Sequence, residues 1–248
     1  MTQTTTPTIK LELSGHCPIC DQNTVYVAAH DWYRDHLICQ SCAGGSVPRE
    51  RALAKVLKER HPDWRDLAIH ESSPCARGVS LMLKRECPRY IGSQYFPGHA
   101  LGEIVNGWRN ENIECQTFQD AVFDVVVTQD VMEHVNRPDL AFRDIARTLK
   151  TGGSYIFTAP TYKDRIKSER RAIYFQDKIE HLHPPEYHGN PVDPNGALVT
   201  FHYGYDLPEL IQNWSGLDVT CLRFHSNSDG IIGEFTEVYL CTKTSFMK

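Results

Sequence analysis

A chain of 248 residues, 41% hydrophobic and 23% charged, is long enough for one sizeable core and a small appendage, and its composition excludes a disordered or fibrous protein. A formal charge of -5 and a pI near 6.2 leave no general basic footprint for neutralising nucleic-acid phosphates. No stretch reaches the apolar length that spans a bilayer, so no membrane association and a cytoplasmic location are expected.

In chain order, the first residues are polar and Thr-rich and are expected to be disordered. From Gly15 to Gly45 the sequence is rich in Cys, His and aromatic residues without a long apolar period, so it needs a covalent or metal staple. Cys17-Pro18-Ile19-Cys20 and Cys39-Gln40-Ser41-Cys42 are two C-x-x-C knuckles with eighteen residues between them. That spacing points to one tetrahedral, structural Zn2+ held by Cys17, Cys20, Cys39 and Cys42, with redox dithiols as the alternative. His16 is surplus to such a site. The other five cysteines read as small core residues.

Leu53, Val56 and Leu57 recur at helical spacing across Pro48 to Arg60, with Arg and Lys on the other faces. This predicts an amphipathic helix after a boundary near Val47 and hence a ribbon over 1–47 and a larger domain over 48–248. Short apolar runs then alternate with helical patterns. Strands are expected at Leu67 to Glu71 and Arg89 to Gly92, followed by a β-branched strand at Asp124 to Thr128. A helix then opens near Asn136 and Pro138 and ends at Gly152-Gly153, ahead of a strand at Ser154 to Thr158. That order predicts an α/β domain with a mostly parallel sheet. The region from about 160 to 206 has weak periodicity and many Pro, His and Tyr residues, and reads as a lid or insertion. Asp218 to Phe224 and Glu234 to Thr244 are expected to pair antiparallel at the sheet edge.

The stretch Phe123-Asp124-Val125-Val126-Val127-Thr128-Gln129-Asp130-Val131-Met132-Glu133-His134-Val135, followed by Pro138, Leu149-Lys150 and Gly152-Gly153, closely resembles the middle of class I S-adenosylmethionine-dependent methyltransferases of the type 11-like kind. The N-terminal ribbon is similar to zinc ribbons ahead of such domains in several bacterial methyltransferases. The resemblance implies a Rossmann-like methyltransferase sheet with S-adenosylmethionine at the carboxyl ends of its first strands, where the general rule for open α/β sheets also places a ligand.

Residue by residue, the resemblance implies cofactor contacts from Glu71, Ser72 and Ser73 after the first strand and Ser93 and Tyr95 after the second. Asn112 and Ile113 follow the third, and Gln129, Asp130 and Val131 the fourth. The family's glycine-rich first turn is missing, Ser72-Ser73-Pro74 standing in its place, with Gly78 the nearest glycine. His134 is a candidate base, or with Glu133 a residue that orients the loop, and Tyr187 and His188 of the lid are candidates for substrate chemistry. A cation on His181, His183 and His188 is a weaker alternative.

Three functions compete. The first is methyl transfer to an O, N or C nucleophile of a small molecule or glycan, which the acidic pI and aromatic lid favour. The second is RNA methylation with the ribbon recognising nucleic acid. The third is a catalytically inactive cofactor-binding or assembly protein.

Overall fold

The computed structural model describes residues 8–175, 178–190 and 192–245. The disorder expected of the first residues falls outside the described residues at positions 1–7, as do positions 176, 177 and 191 of the expected lid.

Strands β1 (Leu11–His16) and β2 (Asn23–Ala28) form an antiparallel hairpin, and β3 (Ile38–Cys39) joins β2 after the one-turn helix α1 (Tyr33–His36). In β2 alternate residues Thr24, Tyr26 and Ala28 turn inward, the period of two that one covered face requires. Helix α2 (Pro48–Arg60) starts where the sequence places it, with the Glu50 carboxylate accepting the Val47 amide at 3.0 Å. Leu53, Val56 and Leu57 are buried as expected. Arg49, Glu50 and Arg51 are buried too, Arg49 between Asp35 of the ribbon and Asp130, Glu50 against Arg77, and Arg51 under the ribbon. The Arg51 guanidinium donates to the carbonyls of Leu37 at 2.9 Å and Gly230 at 2.6 Å and lies 4.5 Å over the Tyr26 ring. One side chain thereby ties ribbon, helix and tail together.

The larger unit follows as β4 (Ile69–Ser72), α3 (Gly78–Glu86), β5 (Tyr90–Gln94), β6 (Ile104–Val105), β7 (Trp108–Asn110), β8 (Phe123–Gln129), α4 (Pro138–Thr148) and β9 (Leu149–Thr158). Helix α4 ends at Thr148, before Gly152-Gly153. The glycines act inside β9 instead. Gly152 has φ +82, and a Cβ on Gly153 would meet the Asp124 carbonyl oxygen at 2.9 Å, so the pair lets β9 bend tightly against β8.

Six short strands punctuate residues 160–206: β10 (Glu169–Arg170), β11 (Ala172–Phe175), β12 (Lys178–His181), β13 (Tyr187–His188), β14 (Ala197–Leu198) and β15 (Phe201–His202). They pair as three separate two-stranded ribbons. Helix α5 (Leu207–Ser215) and strands β16 (Asp218–Leu222) and β17 (Val238–Thr242) complete the chain. The central sheet runs β16-β17-β9-β8-β4-β5-β7-β6. Strands β9, β8, β4, β5 and β7 are parallel, and β17 lies antiparallel between β9 and β16, as expected of the edge pair.

The β-branched run of β8 is buried on both faces. Val125 and Val127 join a core with α2, α3 and the ribbon, while Val126 and Phe123 join the opposite core with α4 and α5. Among the described residues no helix is long and apolar enough to cross a membrane.

Candidate functional site

At the carboxyl end of β4 the chain turns without glycine. Ser73 takes the left-handed conformation at φ +59, and the Ser93 carbonyl accepts its amide at 2.8 Å. A small residue in the strained region thus does the work that glycine does more cheaply. Gly78, at φ +55, then lets α3 begin against the Glu50 carboxylate, which a Cβ there would meet at 2.1 Å.

Glu71 lies under this turn rather than on it. Its carboxylate accepts from Ser80 Oγ at 2.6 Å, Tyr90 Oη at 2.8 Å and Gln129 Nε2 at 2.8 Å, and burial raises its pKa against those bonds. It therefore holds β4, α3, β5 and β8 in register. Ser93 is likewise turned away from the cavity, its hydroxyl 2.8 Å from His70 Nε2. The other expected cofactor residues, Ser72, Ser73, Tyr95, Asn112, Ile113, Gln129, Asp130 and Val131, all line one cavity of about 1640 Å³. That exceeds the roughly 300–1,000 Å³ of a single small-ligand pocket.

Gln129 and Asp130 close the end of β8. The Gln129 amide nitrogen is spent on Glu71 and on Ser80 at 3.1 Å, which leaves its carbonyl oxygen buried with no partner. An acceptor in that state is free to take a donor from a ligand or an ordered water. Asp130, at φ +51, is committed within the protein: its carboxylate accepts from Arg34 Nη2 at 2.8 and 2.7 Å and from Thr158 Oγ1 at 2.9 Å, and pairs with Arg49 Nε at 2.7 Å. Burial alone would raise its pKa, but the Arg34 and Arg49 guanidiniums hold the carboxyl well below the usual range. Arg34 and Arg49 are site residues that the sequence did not flag. Arg34 belongs to the ribbon, and nothing in its neighbours signals a partner 96 residues away.

The lid is pinned to the turn that follows β8. Thr200 donates its amide at 2.7 Å and its hydroxyl at 3.0 Å to the Glu133 carbonyl, and Tyr203 Oη donates to the Met132 carbonyl at 2.9 Å. This sets β13 against that turn, so the His134 and His188 rings meet edge to face with centroids 5.1 Å apart. Both line the cavity, and Tyr187, half-exposed, stands at its rim. Burial lowers His134 to about 4 and, with the charge of Asp130, raises Glu133 well above the carboxylate range. His188 Nε2 lies 3.1 Å from Glu186 Oε1, and His202 Nε2 lies 2.8 Å from Glu186 Oε2. The alternative grouping of His181, His183 and His188 does not form. His183 faces Glu169 at 3.4 Å, and His188 lies with Glu133 and His134.

In the ribbon the four knuckle cysteines converge. Their sulfurs all lie within 4.8 Å of one another, with Cys17 to Cys42 at 3.6 Å and Cys20 to Cys39 at 4.0 Å. A tetrahedron of zinc–thiolate bonds has edges of about 3.8 Å. Thr24 Oγ1 approaches Cys39 Sγ at 3.4 Å and Ser46 Oγ approaches Cys17 Sγ at 3.8 Å, so two sulfurs also have hydroxyl neighbours.

The family model described as a methyltransferase domain matches residues 94–157, from the end of β5 through most of β9. No curated protein sequence matches the chain. Among solved structures the chain is similar to one from the complex between the Haloferax volcanii Trm112 methyltransferase activator and a methyltransferase, at 12% identity and a TM-score of 0.51 over 81% of this chain and 92% of that one. It is also similar to the sugar N-methyltransferase KedS8 from a Streptoalloteichus species, at 12% identity and a TM-score of 0.51 over 80% of this chain and 87% of that one. At such identities the likeness is one of fold.

Proposed function

We propose that this chain, a class I S-adenosylmethionine-dependent methyltransferase, transfers the methyl to an oxygen, nitrogen or carbon nucleophile of a small molecule or glycan held under its lid. The observation that carries this reading is the large cavity whose walls are the strand ends on one side and the lid ribbon β13–β14 on the other. A flat basic surface for a polynucleotide is not what encloses it, and one relative in fold acts on a sugar.

The residues fit the cofactor in two respects. Ser73 supplies the left-handed turn that brings backbone close to a ligand, and the orphaned Gln129 oxygen awaits a donor such as the ammonium of the methionine half. Tyr95, Asn112 and Ile113 would flank the adenosine, and the Asp130–Val131 backbone would face the reacting end. The cofactor supplies a sulfonium methyl poised for in-line transfer. The protein's part is to fix donor and acceptor in line and keep the cavity closed, with Tyr187 and His188 on the acceptor side and His134 across from them. A base is required only where the acceptor must lose a proton. We further propose that Cys17, Cys20, Cys39 and Cys42 hold a structural Zn2+, which suits a reducing, cytoplasmic setting.

Titration calorimetry of zinc-loaded protein with S-adenosylhomocysteine tests the reading. Heat of binding is expected, and Gln129→Leu should weaken affinity about 10- to 100-fold, as befits loss of a bond to a charged group. A flat titration of the wild type would overturn the proposal. Labelled cofactor incubated with a small-molecule fraction of cell extract should place label there rather than in the RNA fraction.

A further inference from the structure

We infer that Glu133, His134 and His188 form a binding site for a divalent transition-metal ion, distinct from the four-cysteine cluster. One ligand atom from each lies within 4.8 Å of the others: Glu133 Oε1 is 3.8 Å from His134 Nε2 and 3.9 Å from His188 Nδ1. Metal bonds of about 2.0–2.2 Å place neighbouring ligand atoms roughly 3.4 Å apart, so closing on an ion asks each histidine to move toward Glu133 by a few tenths of an ångström.

Glu133 is the independent observation. It is 2% exposed, and neither carboxylate oxygen has a hydrogen-bond partner. Burying an acid in that state is costly, and the nearby guanidiniums of Arg34 and Arg49 are engaged by Asp130. A cation between the three side chains supplies the missing partner.

The histidines are already set for the role. His134 Nδ1 lies 3.0 Å from the Leu198 carbonyl oxygen, which fixes the proton there and leaves the Nε2 lone pair facing Glu133. His188 Nε2 lies 3.1 Å from Glu186 Oε1, leaving Nδ1 for the same point, and His202 in turn holds Glu186 at 2.8 Å. A carbonyl or carboxylate behind the far nitrogen is how proteins orient histidine ligands and fix their tautomer. Two imidazoles and one carboxylate suit zinc, iron(II) or cobalt(II) rather than magnesium or calcium, and three protein ligands leave coordination positions open. His134 and His188 line the cavity, so the ion would sit at its wall beside the space assigned to the acceptor. An acceptor bearing a hydroxyl or carbonyl oxygen fits that vacancy. Only this last step rests on the methyl-transfer reading; the metal site stands without it.

The test counts metal in the full chain. Protein loaded with Zn2+ and freed of loose ion is expected to hold two equivalents by mass spectrometry, and the Glu133→Gln and His188→Ala variants one each. Loading with Co2+ separates the sites, since the ribbon gives intense thiolate charge-transfer absorption and the second site only weak visible bands. Those weak bands should vanish in both variants while the intense ones persist, which also shows that the variants are folded. One equivalent in the wild type, or a second equivalent untouched by both substitutions, would overturn the inference. A second equivalent that is lost in the variants, in a protein that binds no S-adenosylhomocysteine, would leave the metal site standing and remove the methyl-transfer reading.

Discussion

His70 shows how much of the site is built by residues that never reach the cavity. Its ring is fully enclosed in β4, stacked on Phe123 at 5.1 Å and edge-on to Phe118 at 4.8 Å, with Nε2 against Ser93. Burial, with a smaller contribution from Arg109, lowers its pKa to about 3. The unfolded chain binds a proton there near pH 6.5, whereas the native state refuses it until about pH 3, so stability falls as pH drops through that window. The slope from this group reaches at most about 1.4 kcal/mol per pH unit. Urea midpoints measured at pH 6.5 and pH 5 should therefore separate in the wild type and lie closer together in His70→Gln; equal separation in both would rule His70 out as the source. At this scale legibility follows locality. The two C-x-x-C knuckles are visible because each pair lies within four residues. Ser93 reads as a ribose contact because the partner that turns it inward, His70, sits on the neighbouring strand, 23 positions away. The Ser73 turn is hidden for another reason: serine in the left-handed region leaves no glycine to see.

Among the elements, β8, α4 and β9 were readable because β-branched runs and three-to-four spacing report directly on burial over seven or more residues. The lid has no such signal, since four of its strands span two residues each and the other two only four, too short for a period. What holds it is side-chain chemistry at single points. Thr200 Oγ1 donates to the carbonyls of Glu133 at 3.0 Å and Val135 at 2.7 Å. Thr200→Val keeps the shape and removes that donor, and should cost about 1–2 kcal/mol. Hydrogen exchange monitored by mass spectrometry should then show faster exchange across β13 to β15 with β4 and β8 unchanged. Uniform acceleration throughout the sheet would mean that the lid is not a separate opening unit. Helix α2 misled in the opposite direction: its arginines suggest a solvated face, yet Arg49 and Arg51 are buried by partners distant in sequence, Asp35 and Leu37 of the ribbon and Asp130 after β8.

For the molecule as a whole, ribbon and sheet share one core, in which Cys17, Tyr26 and Leu37 pack with α2, Val125 and Val238. Arg34 extends this union into the cavity by its bidentate contact with Asp130. Stripping zinc with a chelator should thus reduce S-adenosylhomocysteine affinity along with ribbon stability, and Arg34→Met with zinc retained should reproduce most of the affinity loss, about 10-fold or more. Unchanged affinity in the metal-free protein would instead make the ribbon an independent appendage. Without Arg34, Asp130 keeps Arg49 as its one cationic partner. The ribbon is therefore not an interchangeable cover: a different one without a cation at the place of Arg34 leaves the end of β8 with half its counter-charge.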